Sequence, residues 1–281
     1  MLGHKLVQVL GSRHETWATI RGKFSDVEHF LFFEDDQTIE NVDVTNEKAV
    51  RRAINSARPD VVVNAVGVIK QMPESGDVVT TLSVNSIFPH RLAQLSDEYG
   101  FRLVCISTDC VFDGKKGNYN ESDDPTALDL YGRSKNLGEV VTGNCITLRT
   151  SIIGRELASR HSLVEWFLSK RSEKVNGFVN AIYSGFPTVV FADIIENLIA
   201  EHPDLRGLYH VSSDAITKFD LLGLINEQYQ ANVEIERYED FRIDRSLDST
   251  KFREATGFKP RPWDEMIADM AADPTPYDSW K

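Results

Sequence analysis

The sequence has few of the features that mark a secreted or membrane protein. Its three cysteines are an odd number without paired spacing, which argues against a disulfide-stapled secreted domain. The N-terminus lacks the basic segment and continuous apolar core of a signal peptide. The longest apolar run, at residues 61–69, is far too short to cross a bilayer. We therefore expect a cytoplasmic protein that does not enter a membrane.

Positive charge is also scarce. The sequence has 31 Lys and Arg residues against 43 Asp and Glu residues, which gives a formal net charge of −12. So acidic a chain is not expected to bind nucleic acid, although a local group of cations can still bind phosphate. The cysteines and histidines form no metal-binding pattern, so we predict no metal site.

What the sequence does contain, through residue 150, is an alternation of strand-like and helix-like segments. Short β-branched runs, typical of strands buried on both faces of a parallel sheet, alternate with stretches of helical length. The strand-like runs are 60–67, 101–108 and 144–151, and the helix-like stretches are 46–57, 84–100 and 130–141. This order predicts an α/β fold with a Rossmann-like, doubly wound parallel sheet.

The rhythm changes after residue 150. Helix-like segments cover 162–170, 191–201 and 217–229, a strand-like segment covers 207–213, and a proline-punctuated tail is predicted to wrap the surface. We predict a larger domain over residues 1–150 and a smaller α/β cap over residues 151–281. Some segments of the cap are expected to return to the first domain.

The most informative chemistry lies in two segments. Tyr131 and Lys135 are four positions apart, so they share one face of a predicted helix. A nearby ammonium lowers the pKa of a phenol and makes it a better acid–base group. Ser107 and Thr108 end a strand-like run, at the edge where open α/β sheets bind ligands. Taken singly, each has an ordinary alternative, such as an exposed tyrosine, a solvated lysine or a hydroxyl bonded to the loop backbone.

Together these segments resemble the extended short-chain dehydrogenase/reductases, and within them the dTDP-4-dehydrorhamnose reductase-like family of sugar-nucleotide reductases. The resemblance is carried, in the family's order, by NAVG (64–67), VN (84–85), STDCVFDG (107–114), YGRSK (131–135), LRTS (148–151), GLYHVS (207–212) and LDSTKFREATGFKP (247–260). It implies a Rossmann NAD(P)-binding domain, a cap that binds a nucleotide sugar, and a catalytic triad of Thr108, Tyr131 and Lys135. It further implies reduction of a 4-keto-6-deoxy nucleotide sugar with NADPH, NADH being possible, for cell-surface polysaccharide synthesis, and a possible homodimer.

The family's cofactor motif is a strand followed by G-x-x-G-x-x-G and a helix. Gly3 resembles the last of these glycines, whereas the strand and the two earlier glycines have no counterpart in the sequence. A central strand of this kind buries apolar side chains that contribute roughly 8 kcal/mol, so we expect about ten native residues before Met1. The alternative is that another segment fills the place of this strand.

Other cofactor contacts follow from the resemblance. Arg21 ends the strand-like segment WATIRG, with Lys23 nearby, and an arginine there favours NADPH because it can accept a 2′-phosphate. The alternative is a pair of solvated loop cations. Asn85 resembles the asparagine that orients the active-site lysine, or else it bonds a backbone carbonyl. The remaining cofactor positions are Asp43 and Val44 at the end of a third strand, and Ala65, Val66 and Gly67 after the fourth.

The substrate side is implied by residues that follow the strands. Relatives that dehydrate nucleotide sugars carry an Asp-Glu pair after the triad threonine, so Asp109 followed by Cys110 favours a reductase. The reductases most often carry tyrosine at Cys110, which we interpret as a small half-buried apolar residue. Ser151 and Arg149 complete the predicted substrate contacts. Further candidates for a nucleoside diphosphate are Lys70, Gln71, Arg155, Trp166, Tyr183, Lys218 and Arg245.

Two alternatives stay open. One is another member of the same superfamily, such as a nucleotide-sugar epimerase, which consumes no net NADPH. The other is a non-catalytic homologue, since the family includes a regulatory subunit of methionine adenosyltransferase. The triad favours catalysis, and the lack of a first strand in the sequence favours the regulatory alternative.

Overall fold

The computed structural model describes residues 1–280, in which strands alternate with helices. The strands are β1 (Ala18–Thr19), β2 (Thr38–Ile39), β3 (Val61–Asn64), β4 (Arg102–Thr108), β5 (Cys145–Thr150), β6 (Ile152–Ile153), β7 (Lys174–Tyr183), β8 (Phe186–Pro187), β9 (Gly207–His210), β10 (Ile216–Thr217) and β11 (Glu234–Asp244). The α-helices are α1 (Leu2–Gly11), α2 (Glu47–Ala57), α3 (Val78–Leu82), α4 (Phe88–Tyr99), α5 (Leu130–Leu137), α6 (Leu163–Leu168), α7 (Thr188–Glu201), α8 (Lys218–Gln228), α9 (Thr250–Thr256) and α10 (Trp263–Ala271). Within residues 1–280, none of these helices has the length and apolar character needed to cross a membrane.

A parallel sheet of four strands in the order β3-β4-β5-β9 forms the centre of the molecule. Its inner strands β4 and β5 are almost entirely buried, and Thr108 at the end of β4 pairs with Thr150 at the end of β5. Helices α2 and α4 cover one face, whereas α1 and α7 cover the other. The predicted α/β fold with a Rossmann-like parallel sheet is therefore confirmed.

Strands β1 and β2 form a separate parallel pair. The first lies within the predicted segment WATIRG. The second ends at Ile39, so the prediction that a strand extends to Asp43 is wrong. Asp43 lies in the loop before α2, where its carboxylate accepts hydrogen bonds from the Thr45 amide at 2.8 Å and hydroxyl at 2.7 Å. This local turn competes with strand pairing, as short acidic side chains often do.

A second sheet has the strand order β10-β7-β11, with β7 antiparallel to β10 and parallel to β11. Helix α8 packs on one face of β7. The packing is close at Gly177, where an added Cβ would lie 2.6 Å from the Phe219 ring. Strand β9 comes from the same half of the sequence but belongs to the first sheet. The division of the chain at residue 150 stays a prediction.

The first helix is tied to the last described residues. Lys5 and Asp273 form an ion pair in which both side chains are at most 7% exposed. One residue away, His4 Nε2 lies 2.8 Å from the Tyr277 hydroxyl. Met266 and Ile267 of α10 are fully buried. The prediction that the tail wraps the surface is therefore wrong for α10, because its apolar face completes the core.

Candidate active site

The carboxyl end of β4 supplies the first site residues. Thr108 caps a short turn: its hydroxyl accepts a hydrogen bond from the Cys110 amide at 3.1 Å and donates to the Asp109 carboxylate at 3.1 Å. Thr108 and Asp109 are both buried. Burial raises the pKa of Asp109, while the nearby charges of Arg245 and Lys218 oppose this shift. The turn therefore places a hydroxyl, a carboxyl and a thiol at the ligand-binding edge of the sheet.

Helix α5 brings Tyr131 to this turn. Asp129 caps the helix by accepting a hydrogen bond from the Gly132 amide at 2.9 Å. An added Cβ at Gly132 would lie 2.2 Å from the Cys110 carbonyl oxygen, so only glycine allows this close approach. Burial raises the pKa of Tyr131, the Cys110 thiol adds to the rise, and the Thr108 side chain opposes it. Tyr131 is thus a protonated phenol beside Thr108.

Lys135 lies one turn further along α5. Its ammonium donates to the Ile106 carbonyl oxygen of β4 at 2.7 Å. Burial lowers the pKa of Lys135, and Cys105 and Glu139 oppose this shift. The expected lowering of the Tyr131 pKa by this ammonium is wrong for the present arrangement, because the ammonium bonds the strand and burial of the phenol dominates.

Asn85 connects the cofactor side of the site to α5. It lies in a π-helical turn between α3 and α4 and is 1% exposed. Its side chain bonds both the amide and the carbonyl of Val68, and its Nδ2 also donates to the Ser134 hydroxyl at 3.1 Å. The alternative interpretation, a bond to a backbone carbonyl, is thus what the structure contains. The loop after β3 and the helix carrying Tyr131 are held by one amide.

The loop after β3 leaves room for a flat ligand. Ala65 and Val66 are exposed, although apolar, and an added Cβ at Gly67 would lie 3.4 Å from the Asn85 side-chain oxygen. Small residues at this edge permit close approach of a ligand. Val44 is half-buried, on the loop that follows β2. These residues fit the nicotinamide cofactor that the sequence predicts.

The phosphate end of a dinucleotide also finds matching residues. Gly3 is exposed in the first turn of α1, and an added Cβ there would meet nothing within 4 Å. A helix N-terminus with open space around it suits a phosphate group. Arg21 is exposed near Asp43, and the two charges are close enough to interact. The structure therefore leaves the Arg21 guanidinium accessible for a further anion.

The second sheet contributes residues on the other side of the Thr108 turn. Ser151 follows β5, and Tyr183 at the end of β7 lies beside it. Lys218, at the start of α8, faces Asp109 and Cys110, and burial lowers its pKa. Arg245 donates to the Phe112 carbonyl oxygen at 2.8 Å and lies 3.8 Å from the Cys110 sulfur. Two cations therefore converge on the turn from the second half of the chain.

Lys70 lies across the opening of this site. Its ammonium forms an ion pair of 2.9 Å with Asp129 and lies 5.7 Å from the centre of the Tyr131 ring. Lys70 is exposed, as is its neighbour Gln71. This lysine therefore joins the loop after β3 to the first turn of α5, over the catalytic phenol.

Some predicted residues lie elsewhere. Arg149 forms a buried bidentate ion pair with Glu139, at 2.8 and 2.7 Å, so its guanidinium is already occupied. Arg155 pairs with Glu165 at 2.7 Å, and also with Asp278. We therefore leave both arginines out of the proposed site. Trp166 is partly exposed on α6, where no contact links it to the residues around Tyr131.

Three residues that position the site were missed in the sequence. Asp129 caps α5, Ser134 receives the Asn85 amide, and Glu139 accepts a hydrogen bond from Ser107 at 2.6 Å besides pairing with Arg149. Asp129 had a detectable signal, since an aspartate directly before a helical segment is a common N-cap. The other two depend on packing between segments. Among residues 1–280, no cluster of three or more His, Cys, Asp or Glu side chains is arranged to hold a metal ion.

Comparison with known proteins gives a consistent result. The chain matches the family described as the RmlD substrate binding domain over residues 1–275. It is 27% identical over 255 residues to a dTDP-4-dehydrorhamnose reductase of Aggregatibacter actinomycetemcomitans, covering 82% of this chain and 87% of the relative. It is 29% identical over 197 residues to the beta subunit of methionine adenosyltransferase 2 of Danio rerio, covering 66% of this chain and 60% of that protein.

A solved structure agrees with these matches. The crystal structure of a hypothetical dTDP-4-dehydrorhamnose reductase from Sulfolobus tokodaii superposes with a TM-score of 0.76, at 26% identity and with 94% of each chain covered. The fold and the Thr108–Tyr131–Lys135 arrangement define an extended short-chain dehydrogenase/reductase, a class of NAD(P)H-dependent oxidoreductases. Within that class, the chain belongs to the RmlD substrate binding domain family.

Proposed function

We propose that this protein is an NADPH-dependent reductase of a 4-keto-6-deoxy nucleotide sugar. The observation that carries the proposal is the position of Tyr131, a buried and protonated phenol beside Thr108, with Lys218 and Arg245 facing the same turn from the second sheet. A ketone that is reduced needs a proton donor at its oxygen, and a buried phenol whose pKa is raised retains its proton.

The residues of the triad then have separate roles. The Thr108 hydroxyl holds the substrate carbonyl, and Tyr131 donates its proton to the carbonyl oxygen. Lys135 is buried close to the end of β4 and binds the ribose of the cofactor when its bond to the Ile106 carbonyl is exchanged. A reduced nicotinamide supplies the hydride when it is bound. Asn85 keeps the loop after β3 and helix α5 in register for both partners.

The preference for NADPH rests on Arg21. Its guanidinium is exposed at the end of the β1 segment, where it can accept a 2′-phosphate. Gly3 opens α1 to the pyrophosphate, and Asp43 with Val44 lies toward the adenine. Ala65, Val66 and Gly67 give the nicotinamide half of the cofactor a flat, small-residue surface.

Lys218 and Arg245 are the residues that favour a nucleotide sugar. Among the described residues, neither forms an ion pair with a carboxylate, although both lie near Asp109. A half-buried ammonium without a partner is costly, and a diphosphate supplies the missing charge. The second sheet with α8 thus acts as the substrate cap, and we place the product in cell-surface polysaccharide synthesis. The active protein is proposed as a homodimer.

The test is the oxidation of NADPH, followed by its absorbance, with a dTDP-4-keto-6-deoxyhexose as substrate. Tyr131→Phe should lower kcat/KM by about 10²–10⁴-fold while leaving NADPH affinity unchanged. Tyr99→Phe, which alters an exposed tyrosine of α4, is the matched control. Activity of Tyr131→Phe within a few fold of the wild type would contradict the mechanism.

The same experiment separates the alternatives. A nucleotide-sugar epimerase would convert its substrate without net consumption of NADPH. A regulatory homologue, suggested by the match to the methionine adenosyltransferase subunit, would bind NADPH and turn over no ketone. Product analysis and cofactor titration distinguish these outcomes from reduction.

A further inference from the structure

The Tyr183 hydroxyl is a buried polar group without a hydrogen-bond partner among the described residues. Tyr183 is 7% exposed at the end of β7. The Ser151 side chain and the Phe186 amide lie beside the hydroxyl, but neither completes a hydrogen bond with it. The Phe186 amide donates instead to the Ser151 carbonyl oxygen at 2.9 Å. A buried hydroxyl left unsatisfied costs free energy, so a ligand group that bonds it is favoured.

The position of this hydroxyl is fixed by its surroundings. The Tyr183 ring lies 5.6 Å from the ring of Trp263, whose indole nitrogen donates to the Asp214 carbonyl oxygen at 2.7 Å. An added Cβ at Gly185 would lie 2.3 Å from the Tyr183 hydroxyl and 1.9 Å from the Ser151 carbonyl oxygen. Because the ring is held by Trp263 and the hydroxyl lies close to Gly185 and Ser151, the phenol has little freedom to turn elsewhere.

The hydroxyl is also directed toward the candidate active site. The charge of Asp109 acts on both Tyr183 and Tyr131, so the two phenols lie on either side of one carboxyl group. Apart from its bond with the Thr108 hydroxyl, Asp109 has no ion-pair partner among the described residues. Tyr131 comes from the first sheet and Tyr183 from the second, so a ligand between the sheets meets both.

We propose that the Tyr183 hydroxyl binds a ring hydroxyl of the same sugar that presents its carbonyl to Tyr131, and thereby determines which sugars the site accepts. This inference rests on the proposed function, because it takes the ligand to be a nucleotide sugar. Tyr183 is a specificity residue: it contacts the sugar away from the reacting carbon and transfers no proton. Ser151 and Asp109 supply polar neighbours for the same hydroxyl.

Equilibrium binding tests the inference without turnover. Isothermal titration compares a dTDP-6-deoxyhexose with its 2-deoxy and 3-deoxy analogues, on the wild type and on Tyr183→Phe. The wild type should bind the hydroxylated sugar about 10- to 100-fold more tightly than one of the two analogues. Tyr183→Phe should lose that preference and bind the favoured deoxy analogue as the wild type does.

The control is Tyr238→Phe, which removes the hydroxyl of a partly exposed tyrosine on β11. Equal binding of all three sugars by the wild type would overturn the proposal, as would a Tyr183→Phe variant that weakens all of them equally, since that result indicates a purely structural role. NADPH affinity and the melting temperature of each variant show whether the fold is kept.

Failure of the proposed function gives a different result. If the wild type binds the sugars with the expected preference but reduces no 4-keto sugar, the reductase assignment fails and the role of Tyr183 stands. If it reduces the ketone but does not distinguish the deoxy analogues, the role of Tyr183 fails and the reductase assignment stands. If it binds none of the sugars, the role of Tyr183 is overturned.

Discussion

The Asn85 side chain holds both backbone polar groups of Val68: its oxygen accepts from the Val68 amide at 2.8 Å, and its nitrogen donates to the Val68 carbonyl at 2.9 Å. The same nitrogen also donates to Ser134 on α5. Asn85 is followed by close packing, since an added Cβ at Gly138 would lie 1.9 Å from its carbonyl oxygen. Cofactor loop and catalytic helix are therefore positioned together.

Asn85→Ala should loosen both elements. The substitution leaves the Val68 amide and carbonyl unpaired inside the protein, at a cost of about 1–3 kcal/mol for each unsatisfied group. We expect a lower midpoint in urea unfolding and a higher KM for NADPH. Asn55→Ala, at an exposed position of α2, is the control, and it should change neither quantity. An unchanged midpoint for Asn85→Ala would show that the loop is held by other contacts.

Arg21→Ala should change the choice of cofactor. The loss of one charge-assisted bond to a 2′-phosphate weakens NADPH binding by about 10- to 100-fold, whereas NADH binding stays nearly constant. Fluorescence titration of both cofactors measures this change. Lys259→Ala removes an exposed cation after α9 and serves as the control. A parallel loss for NADPH and NADH would mean that Arg21 does not read the phosphate.

Lys5→Met should destabilise the protein strongly. Lys5 and Asp273 are buried together, and removal of one partner leaves an unpaired buried charge, which typically costs about 3–5 kcal/mol. Chemical unfolding gives the value. The double variant Lys5→Met/Asp273→Asn should recover part of the loss. Lys174→Met, which breaks an exposed ion pair with Glu234 and Glu236, should have little effect. Equal effects of the two lysine variants would contradict the assigned role of burial.

Stability should fall as the pH drops below about 6.5, the ordinary histidine pKa. Burial, with Arg149 nearby, lowers the pKa of His210 to about 4, although the Tyr119 carbonyl, Asp248 and Asp123 oppose the shift. His210 Nδ1 lies 2.9 Å from that carbonyl oxygen, and Nε2 lies 3.2 Å from the Arg149 guanidinium, which suits a neutral ring. Between about pH 6.5 and 4 the unfolded chain binds a proton that the folded chain does not, so stability rises with pH there.

The expected slope for this histidine is about 1.4 kcal/mol per pH unit, which unfolding at several pH values measures. His4 adds to it, because burial lowers its pKa to about 3. His210→Gln should remove the part due to His210, and His161→Gln, at an exposed position, is the control. A profile that His210→Gln leaves unchanged would sink this explanation.

The fold followed from local pattern to a large extent. The runs at 101–108 and 144–151 became β4 and β5, because dense β-branched and apolar residues fit strands that are buried on both faces. Thr217 caps α8 through the Asp220 amide, as its spacing predicted. Patterns failed where a short polar turn competed with strand pairing, as at Asp43.

The site was less predictable because it depends on packing between distant segments. Arg149 looked like a substrate ligand in the sequence, yet Glu139 near the end of α5 neutralises it inside the core. The open hydroxyl of Tyr183 depends on Trp263 and Gly185, and no spacing rule joins these three residues. Charge pairing and side-chain direction across the second sheet were therefore visible only in the folded structure.

The bond between the first helix and the C-terminal residues also has a consequence for how the chain is made. His4 and Tyr277 are 273 residues apart, so at a synthesis rate of about 5–20 residues per second α1 waits for its partner for roughly 15–55 seconds. Until then Lys5 lacks its counter-charge, and the apolar face of α1 is without α10 and the segment that follows it. The last step of folding can thus take place only near the end of translation, and a ribosome that stalls before Asp273 leaves a chain that chaperones and proteases can recognise.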